Sequence, residues 1–510
     1  MNVVDHLAKI SSENPQKAAY IFNGMSRTYE QFNGAVTSFA AHLSEMGVQK
    51  GDHVALLLGN CPEFVIGLYG ALRAGATVIP INPAFTGDEI GYILNNGDVK
   101  TVIALDSLAP LVEKLLPSLP RIQHVVITDT REVSYELNNP FLKTFTSMLD
   151  DISDIPEFPN IDEEDVAVIL YTSGTTGKPK GAMLTHKNIY SNAKDTANYL
   201  RMTNEDRTIA TLPMFHVFCL TVALNAPLIN GGTIIIVPKF SPGEIFRLVR
   251  EYEATIFAGV PTMYNFLYQF PEGSPEHLAS LRLCVSGGAS LPLALLENFE
   301  NKFNVVISEG YGLSEASPVT CFNPLDRPRK PGSIGKSILN VDNKVVNELG
   351  EELPPGEIGE LIVRGPNVMK GYYNMPGNTA AAIRNGWLHT GDLAKMDEEG
   401  YFYIVDRKKD LIIVGGYNVY PREIEEVLYN HPGVIEAAVV GIPDSDYGEA
   451  VACFIVAKNQ ALTEAGIKSY CGAHLAKYKL PKIIHFIDEL PKNSSGKILR
   501  RALREQLLEA

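Results

Sequence analysis

The sequence predicts an α/β protein: a large N-terminal domain of stacked α/β subdomains that carries a small β-rich unit, then a smaller α+β C-terminal domain. Three observations predict it. From residue 54 onward short apolar runs alternate with segments of helical period, the pattern of strands and crossover helices in largely parallel sheets. Between Pro324 and Gly400 glycine, proline and charge become dense around short alternating segments such as 359–365, which suits a β-rich insert. After Asp406-Arg407-Lys408-Lys409-Asp410 the strand and helix pattern starts afresh. At 510 residues the chain is too long for one ordinary domain. The predicted division is 1–405, a linker at 406–410, and 411–510.

In order along the chain, residues 4–46 read as amphipathic helices interrupted by a strand and turn at 18–27. Thr28 to Gln31 is a capping-box pattern that opens the helix running toward Met46. Residues 54–58 form an apolar strand, 60–74 a helix with Phe64, Leu68 and Leu72 four apart, and 78–81 a second strand stopped by Asn82-Pro83. The unit repeats with strands at 102–105 and 124–128 around a helix. Residues 130–165 are polar, acidic and proline-containing, a connecting excursion. Further strands are expected at 166–170, 208–212, 233–237, 255–258, 281–286 and 305–308. The last part reads as a strand at 411–414, a helix at 421–430, strands at 434–440 and 450–456, a helix, and a strand at 482–487.

Composition narrows the function classes. A hydrophobic content of 45% supports large cores, and 20% charged residues of both signs argue against global disorder. A net charge of −15 disfavours nonspecific nucleic-acid binding and docking on anionic membranes. Residues 407–510 carry 14 Lys and Arg against 13 Asp and Glu, so the excess acid lies in the first 406 residues. The six cysteines are far apart, with no CxxC or zinc-ligand spacing. Buried reduced thiols in a cytoplasmic protein are expected. Residues 1–17 lack the apolar core of a signal peptide, and no apolar run is long enough to span a membrane.

The most informative stretch is Tyr171-Thr-Ser-Gly-Thr-Thr-Gly-Lys-Pro-Lys-Gly181, directly after an apolar strand. Glycine lets a backbone approach a ligand and present its N–H groups. Hydroxyls at Thr172, Ser173, Thr175 and Thr176 add donors, and Lys178 and Lys180 add charge suited to phosphate. The spacing differs from a P-loop: two residues, not four, separate Gly174 from Gly177, and Pro179 follows Lys178. A flexible glycine-rich surface turn is the competing reading.

This stretch and four others resemble, in order and over nearly the whole chain, the adenylate-forming superfamily of acyl-CoA synthetases, luciferases and adenylation domains. The others are Gly310-Tyr-Gly-Leu-Ser-Glu315, Trp387-Leu-His-Thr-Gly-Asp392, the run from Asp406 through Gly415-Gly416-Tyr417 to Glu425, and Pro491-Lys-Asn-Ser-Ser-Gly-Lys-Ile-Leu-Arg500. The sequence looks most like bacterial long-chain fatty-acid–CoA ligases. The resemblance implies ATP, Mg²⁺ and coenzyme A. A carboxylate attacks the α-phosphate of ATP, giving an acyl-adenylate and pyrophosphate, and the coenzyme A thiol then displaces AMP. Adenylation supplies the leaving group that a carboxylate lacks, so the protein need only position reactants and neutralise charge.

Residue roles follow from the same resemblance. Thr172, Ser173, Gly174, Thr175, Thr176 and Lys178 would hold the β- and γ-phosphates. Tyr311 would lie against adenine, with Gly310 and Gly312 allowing close approach. Ser314, where the family more often has Thr, would contact phosphate, and Glu315 would carry Mg²⁺. Gly287, Gly288 and Ala289 would border adenine and the acyl group. Asp392 and Arg407 would bind the ribose hydroxyls, an acceptor and a forked donor. Lys497 would bridge phosphate and carboxylate during adenylation and be dispensable for thioester formation. Lys409 occupies the hinge position about which the mobile C-terminal domain turns between half-reactions. Many relatives have Asp there and others Lys. Gly415, Gly416 and Tyr417 would line the pantetheine tunnel, with Tyr478, between Lys477 and Lys479, near coenzyme A; a structural surface cluster competes for Tyr478. His216 would gate the acyl pocket, against the reading of a satisfied core histidine.

The substrate class can be narrowed. Residues 211–240 contain no Asp or Glu, whereas amino-acid-activating relatives keep an Asp near the positions of Phe215 and His216 to pair with the ammonium group. The pocket candidates Val260, Thr262, Met263, Gly287, Gly310, Leu313 and Val319 are small or apolar, which fits a medium- or long-chain fatty, or an aryl, carboxylic acid. An aryl-CoA ligase, or an adenylating enzyme that loads a carrier protein, is the alternative. No nucleic-acid partner is expected, while a homodimer and a peripheral membrane encounter for a lipid substrate stay open.

Overall fold

The computed structural model describes residues 2–129, 142–150, 152, 155–172, 178–459, 462–493 and 498–508. Among them four sheets form. One has eight strands, in the spatial order Gly371–Tyr372, Lys180–Thr185, Val166–Thr172, Thr77–Pro80, His53–Leu57, Val99–Ala104, His124–Ile127 and Leu142–Thr144. From Val166–Thr172 onward the neighbours are parallel. A nine-stranded sheet has a parallel centre of Ala18–Phe22, Thr233–Ile236, Arg207–Ala210, Ile256–Gly259, Leu283–Ser286 and Ile307–Gly312, with antiparallel strands at both edges.

The two sheets sandwich one core, and strand alternation builds it. Val54 and Leu56 face this core while Ala55 and Leu57 face the outer helices. Ile234 and Ile236 face inward, Ile235 outward. Helices Tyr29–Glu45, Pro62–Arg73 and His186–Tyr199 fill the layer between, through Phe32, Phe39, Phe64, Leu68 and Ile189. Thr28 and Gln31 form the expected capping box. Helix Gly87–Asn96 was not expected, although Thr86 and Glu89 form its capping box and the Thr-x-x-Glu signal is in the sequence. Asn60 links the sheets: its amide donates to the carbonyls of Ala210, Leu212 and Val237, and its oxygen accepts from the Met214 amide at 2.8 Å. That buried bracket fixes the segment leading to His216.

The β-rich unit is a five-stranded sheet of Asp342–Val346, Gly359–Arg364, Trp387–Met396, Ile383–Arg384 and Phe402–Arg407. After residue 411 a separate sheet forms from Ile412–Val414, Tyr417–Val419, Val434–Asp444, Gly448–Ala457 and Ile483–Phe486. Its two faces bury different partners: Ala437 and Val439 meet Ile424 and Leu428, whereas Ala438 and Val440 meet Leu490 and Leu503. Two strands outrun their predicted ends. The strand expected at 305–308 continues to Gly312, because Gly310 to Gly312 pair with Val319–Phe322. The strand expected at 434–440 continues to Asp444 against Gly448–Ala457. Five cysteines are buried and Cys61 is half-buried, all free. Among the described residues no helix is long and apolar enough to cross a membrane.

Candidate active site

A cleft of 1480 Å³ lies where the carboxyl ends of the parallel strands meet the C-terminal domain. At one end stands the glycine-rich stretch. Strands Val166–Thr172 and Lys180–Thr185 are antiparallel, with Thr172 opposite Lys180, so residues 173–179 connect the arms of a hairpin. Thr172 and Lys180 line the cleft. Lys180 stands over the Tyr372 ring, 5.3 Å from its centroid. Lys178 is exposed and lies over Tyr92 instead. Ser173, Gly174, Thr175 and Thr176 lie outside the described residues.

The floor is built from strand ends. Gly287 to Ala289 follow Leu283–Ser286 and line the cleft, and Gly288 takes a left-handed φ of +79° that favours glycine. A Cβ at Gly310 would stand 2.1 Å from the Phe322 ring, and one at Gly312 2.3 Å from the Pro318 carbonyl oxygen. The Gly-Tyr-Gly run is therefore close-packed from beneath. The Tyr311 hydroxyl donates to Asp392. Burial and the Asp392 charge push that phenol well up, so it stays a donor. Asp392 and Arg407 face each other on adjacent strands, with Nε to Oδ1 at 3.5 Å. Ladder register, not sequence proximity, brings this acceptor and forked donor together.

Ser314 and Glu315 form the next turn and line the cleft. Tyr372 donates to Glu315 Oε1 at 2.9 Å. Among the described residues no group of three or more His, Cys, Asp or Glu could hold a metal ion. Glu315, in contact with Tyr372, is a protein carboxylate on the Lys180 side of the cleft that belongs to no such group. That donor set fits Mg²⁺ arriving on phosphates, which takes one or two carboxylates, and does not fit a metal caged by protein alone.

The apolar wall contains Phe215, His216, Val260, Thr262, Leu313 and Val319. His216 Nδ1 accepts from the Phe218 amide at 3.3 Å. The following segment, Cys219–Asn225, is a buried π-helix, a form frequent next to functional sites. Met263 departs from expectation, packing into the cores of the two sheets and not lining the cleft.

The C-terminal domain closes the other side with Lys409, Arg422, Glu426, Lys492 and Arg500. Lys497 lies outside the described residues, but its flanks are pinned: Lys492 and Ile498 form a bridge, and the Leu499 amide donates to the Pro491 carbonyl at 2.8 Å. Gly415 and Gly416 form the turn between Ile412–Val414 and Tyr417–Val419, with φ of +56° and +84°. Tyr417 stacks on Tyr478 with ring centroids 4.9 Å apart. The structure joins these two tyrosines but places neither in the cleft lining.

Sequence reasoning missed Tyr372, Glu309 and Arg422. Glu309 is 4% exposed and lines the cleft. Its carboxyl accepts from the Leu291 amide at 3.2 Å. Burial pushes it up to about 7, against the pull of Arg422 and the Leu291 amide. Glu309 falls between the strand expected at 305–308 and the motif that begins at Gly310, and the pairing with Val319–Phe322 carries the strand on past it. Nothing in the sequence marked Tyr372.

A family model described as AMP-binding enzyme matches residues 7–373, and one described as AMP-binding enzyme C-terminal domain matches residues 423–497. The chain belongs to the AMP-binding enzyme family. This AMP-binding enzyme is 42% identical over 519 aligned positions to a long-chain-fatty-acid–CoA ligase of Bacillus subtilis, covering 97% of this chain and 92% of that one. It superposes on ATP-bound MatB from Rhodopseudomonas palustris with a TM-score of 0.92 and 35% identity, over 99% of each chain. On the apo form of MatB, at the same identity and coverage, the TM-score is 0.81. The AMP-binding enzyme is therefore arranged more like the ATP-bound than the apo form.

Proposed function

We propose that this enzyme activates a fatty carboxylic acid with ATP, releasing pyrophosphate, and transfers the acyl group from the adenylate to coenzyme A. One observation carries the reading: a single cleft joins the Thr172 and Lys180 end to the Tyr311, Asp392 and Arg407 cluster and to a wall free of acidic residues around Phe215, Val260, Leu313 and Val319. A phosphate end, a diol-binding pair and an apolar wing in sequence match a nucleotide joined to an acyl chain. The name of the Bacillus subtilis relative supports the same substrate class.

In this reading Thr172 to Thr176 and Lys180 receive the β- and γ-phosphates, with Lys180 taking the place first expected for Lys178. Asp392 accepts from the ribose hydroxyls and Arg407 donates to them. Tyr311 and the Gly287 to Ala289 turn bracket adenine, and Ser314 donates to phosphate. Mg²⁺ held by Glu315 supplies charge neutralisation on the phosphates. Lys497 stabilises charge where the carboxylate oxygen meets the α-phosphate, an oxyanion-type effect strongest in a cleft that excludes water. His216 gates the acyl wing. Residues 1–405, the hinge 406–410 and 411–510 form the working units. Rotation about Lys409 brings Gly415 to Tyr417, with Tyr478, toward coenzyme A. Pyrophosphate release with fatty and aryl carboxylates, with and without coenzyme A, tests the reading. Release with fatty acids, and thioester only with coenzyme A, is expected. No pyrophosphate with any acid overturns it. Lys497→Ala is expected to abolish adenylation while still converting supplied acyl-adenylate and coenzyme A to thioester.

A further inference from the structure

Helix Pro421–Tyr429 belongs to the C-terminal core through Ile424 and Leu428. Its first turn reaches across the linker. The Arg422 backbone amide donates to Asp406 Oδ2 at 2.9 Å, and Arg422 Nη1 donates to the Ile404 carbonyl at 2.6 Å. Ile404 and Asp406 sit on strand Phe402–Arg407, which pairs with Trp387–Met396 of the β-rich unit. Both acceptors therefore precede Lys409 and both donors follow it. The contact is buried: Asp406 is 4% exposed, and the Arg422 side chain is 13% exposed. The helix has no side-chain cap from its own N-cap, Tyr420, and Asp406 fills that role from the other side of the linker.

Two neighbours reinforce the contact. The Arg422 charge pulls against the burial of the Glu309 carboxyl on the large domain, and the Leu293 amide, at the start of helix Leu293–Phe303, pulls down the carboxyl of Glu426, one turn along the same helix. Arg500 binds both oxygens of Glu425 at 2.7 Å and lies 3.7 Å from Asp410. Arg500 follows Lys497 by three residues, so the same helix that grips the strand also anchors the lysine-bearing segment.

We propose that Arg422 is a positioning residue: a two-point latch on strand Phe402–Arg407 that holds the C-terminal domain in the ATP-bound-like arrangement and must release before the domain can turn. The inference rests on the two-step reading above, because a hinge at Lys409 is what gives release a purpose. A torsion change at residue 409 moves the donors relative to the acceptors. Both side-chain and backbone bonds must then break together. The latch favours adenylation and opposes the thioester step.

The test compares Arg422→Ala and Arg422→Lys with the unmodified protein. Arg422→Ala should slow carboxylate-dependent ATP–pyrophosphate exchange on the order of tenfold, the factor carried by one charge-assisted hydrogen bond. It should leave unchanged, or speed, conversion of supplied acyl-adenylate and coenzyme A to thioester. Arg422→Lys, which can still reach the Ile404 carbonyl, should recover part of the exchange rate. Small-angle scattering with ATP bound gives a readout independent of turnover: Arg422→Ala should show a more open average shape. Equal loss of both half-reactions, or unchanged exchange with an unchanged scattering profile, overturns the latch. Asp406→Asn keeps an oxygen for the amide and serves if Arg422→Ala fails to fold; it should shift the same two readouts in the same directions by a smaller factor, and unchanged readouts count against the latch. An unmodified protein that makes no pyrophosphate with any acid overturns the two-step reading instead, and the scattering comparison still decides the latch.

Discussion

Replacing Glu309 by Gln should make the protein more resistant to denaturation above neutral pH and leave it unchanged in acid. Glu309 lies at 4% exposure on the central strand Ile307–Gly312. Burial is the chief force on its carboxyl; Arg422 and the Leu291 amide oppose it, and Glu426 adds to it. The outcome is a carboxyl pushed up from its ordinary 4.5 to about 7. In the folded protein it keeps a proton that the unfolded chain gives up. Its contribution is fully present below pH 4.5 and is lost as pH rises through about 7. At ~1.4 kcal/mol per decade the interval is worth roughly 3 kcal/mol, an upper bound because Arg422 can hold the ionised form. Glutamine keeps the shape and carries no such loss. Urea unfolding followed by fluorescence of Trp387, the single tryptophan, should give coincident midpoints near pH 4.5. By pH 8.5 the variant's midpoint should be higher by up to ~1 M, taking a slope of about 3 kcal/mol per molar. Parallel midpoints across the range, or a variant that is weaker at pH 8.5, would refute a buried neutral carboxyl and mean that Glu309 is an ionised partner of Arg422.

Other residues give equally direct tests. His186, 2% exposed, has its imidazole lowered to about 4 by burial, with Asp165 opposing. Its folded value is depressed, so stability is present above pH 6.5 and falls as pH drops through about 4, by up to ~3 kcal/mol. His186→Gln should flatten that acid-side fall in the same urea assay, and an unchanged slope counts against it. Gly312→Ala puts a methyl group 2.3 Å from the Pro318 carbonyl oxygen. Moving backbone by that much costs ~1–3 kcal/mol, so pyrophosphate exchange should drop about tenfold or more; wild-type exchange rates would show the strand end yields freely. Tyr417→Ala removes the ring that stacks on Tyr478. It should raise KM for coenzyme A several-fold with pyrophosphate exchange untouched, and an equal effect on both would make the pair purely structural.

What was legible in the sequence was mostly what local patterning dictates. Strand alternation and crossover helices follow from the apolar period, and Val54 and Leu56 against Ala55 and Leu57 show that period dividing two cores. The Thr28 and Gln31 capping box is likewise a local signal. Element ends were less legible, because pairing partners set them: Gly310 to Gly312 join a strand only because Val319–Phe322 lies beside them. Of the motif residues, Thr172, Gly310, Tyr311, Gly312, Ser314, Glu315, Asp392 and Arg407 line the cleft, whereas Lys178, Gly415, Gly416 and Tyr417 do not. Tyr372 reaches Glu315 across 57 residues, and Arg422 reaches the Ile404 carbonyl across the linker, so neither is visible to spacing. Met263 failed for the opposite reason. It has the apolar character of a pocket residue, but it is partly buried against the two large cores.

The strands that flank the glycine-rich stretch bear on where the positive charge of the proposed phosphate end comes from. In a P-loop the strand runs into a helix, whose N-terminal amides and dipole supply positive potential to the phosphates. Here the next element among the described residues after strand Val166–Thr172 is its antiparallel partner Lys180–Thr185, not a helix. The next helix, His186–Tyr199, starts at the far end of that strand, and its first amides are already taken by its own Thr185 and Asn188 capping box. In the proposed reading, full positive charges at the phosphates come from side chains, beside any backbone amides of the loop. The described residues at that end offer Lys180, while Glu309, Glu315 and Asp392 add negative charge around the same cleft. Arg407, Arg422, Lys492 and Arg500 come from the linker and the C-terminal domain. Lys492 and Arg500 are paired there with Glu436 and Glu425, and in the two-step reading proposed above a turn about Lys409 carries these groups to the cleft for one half-reaction and away from it for the next. A fixed helix N-terminus could not be withdrawn in that way. Cleft groups carried on a hinged domain suit that proposed reading, in which pyrophosphate is held in one step and the product leaves in the next.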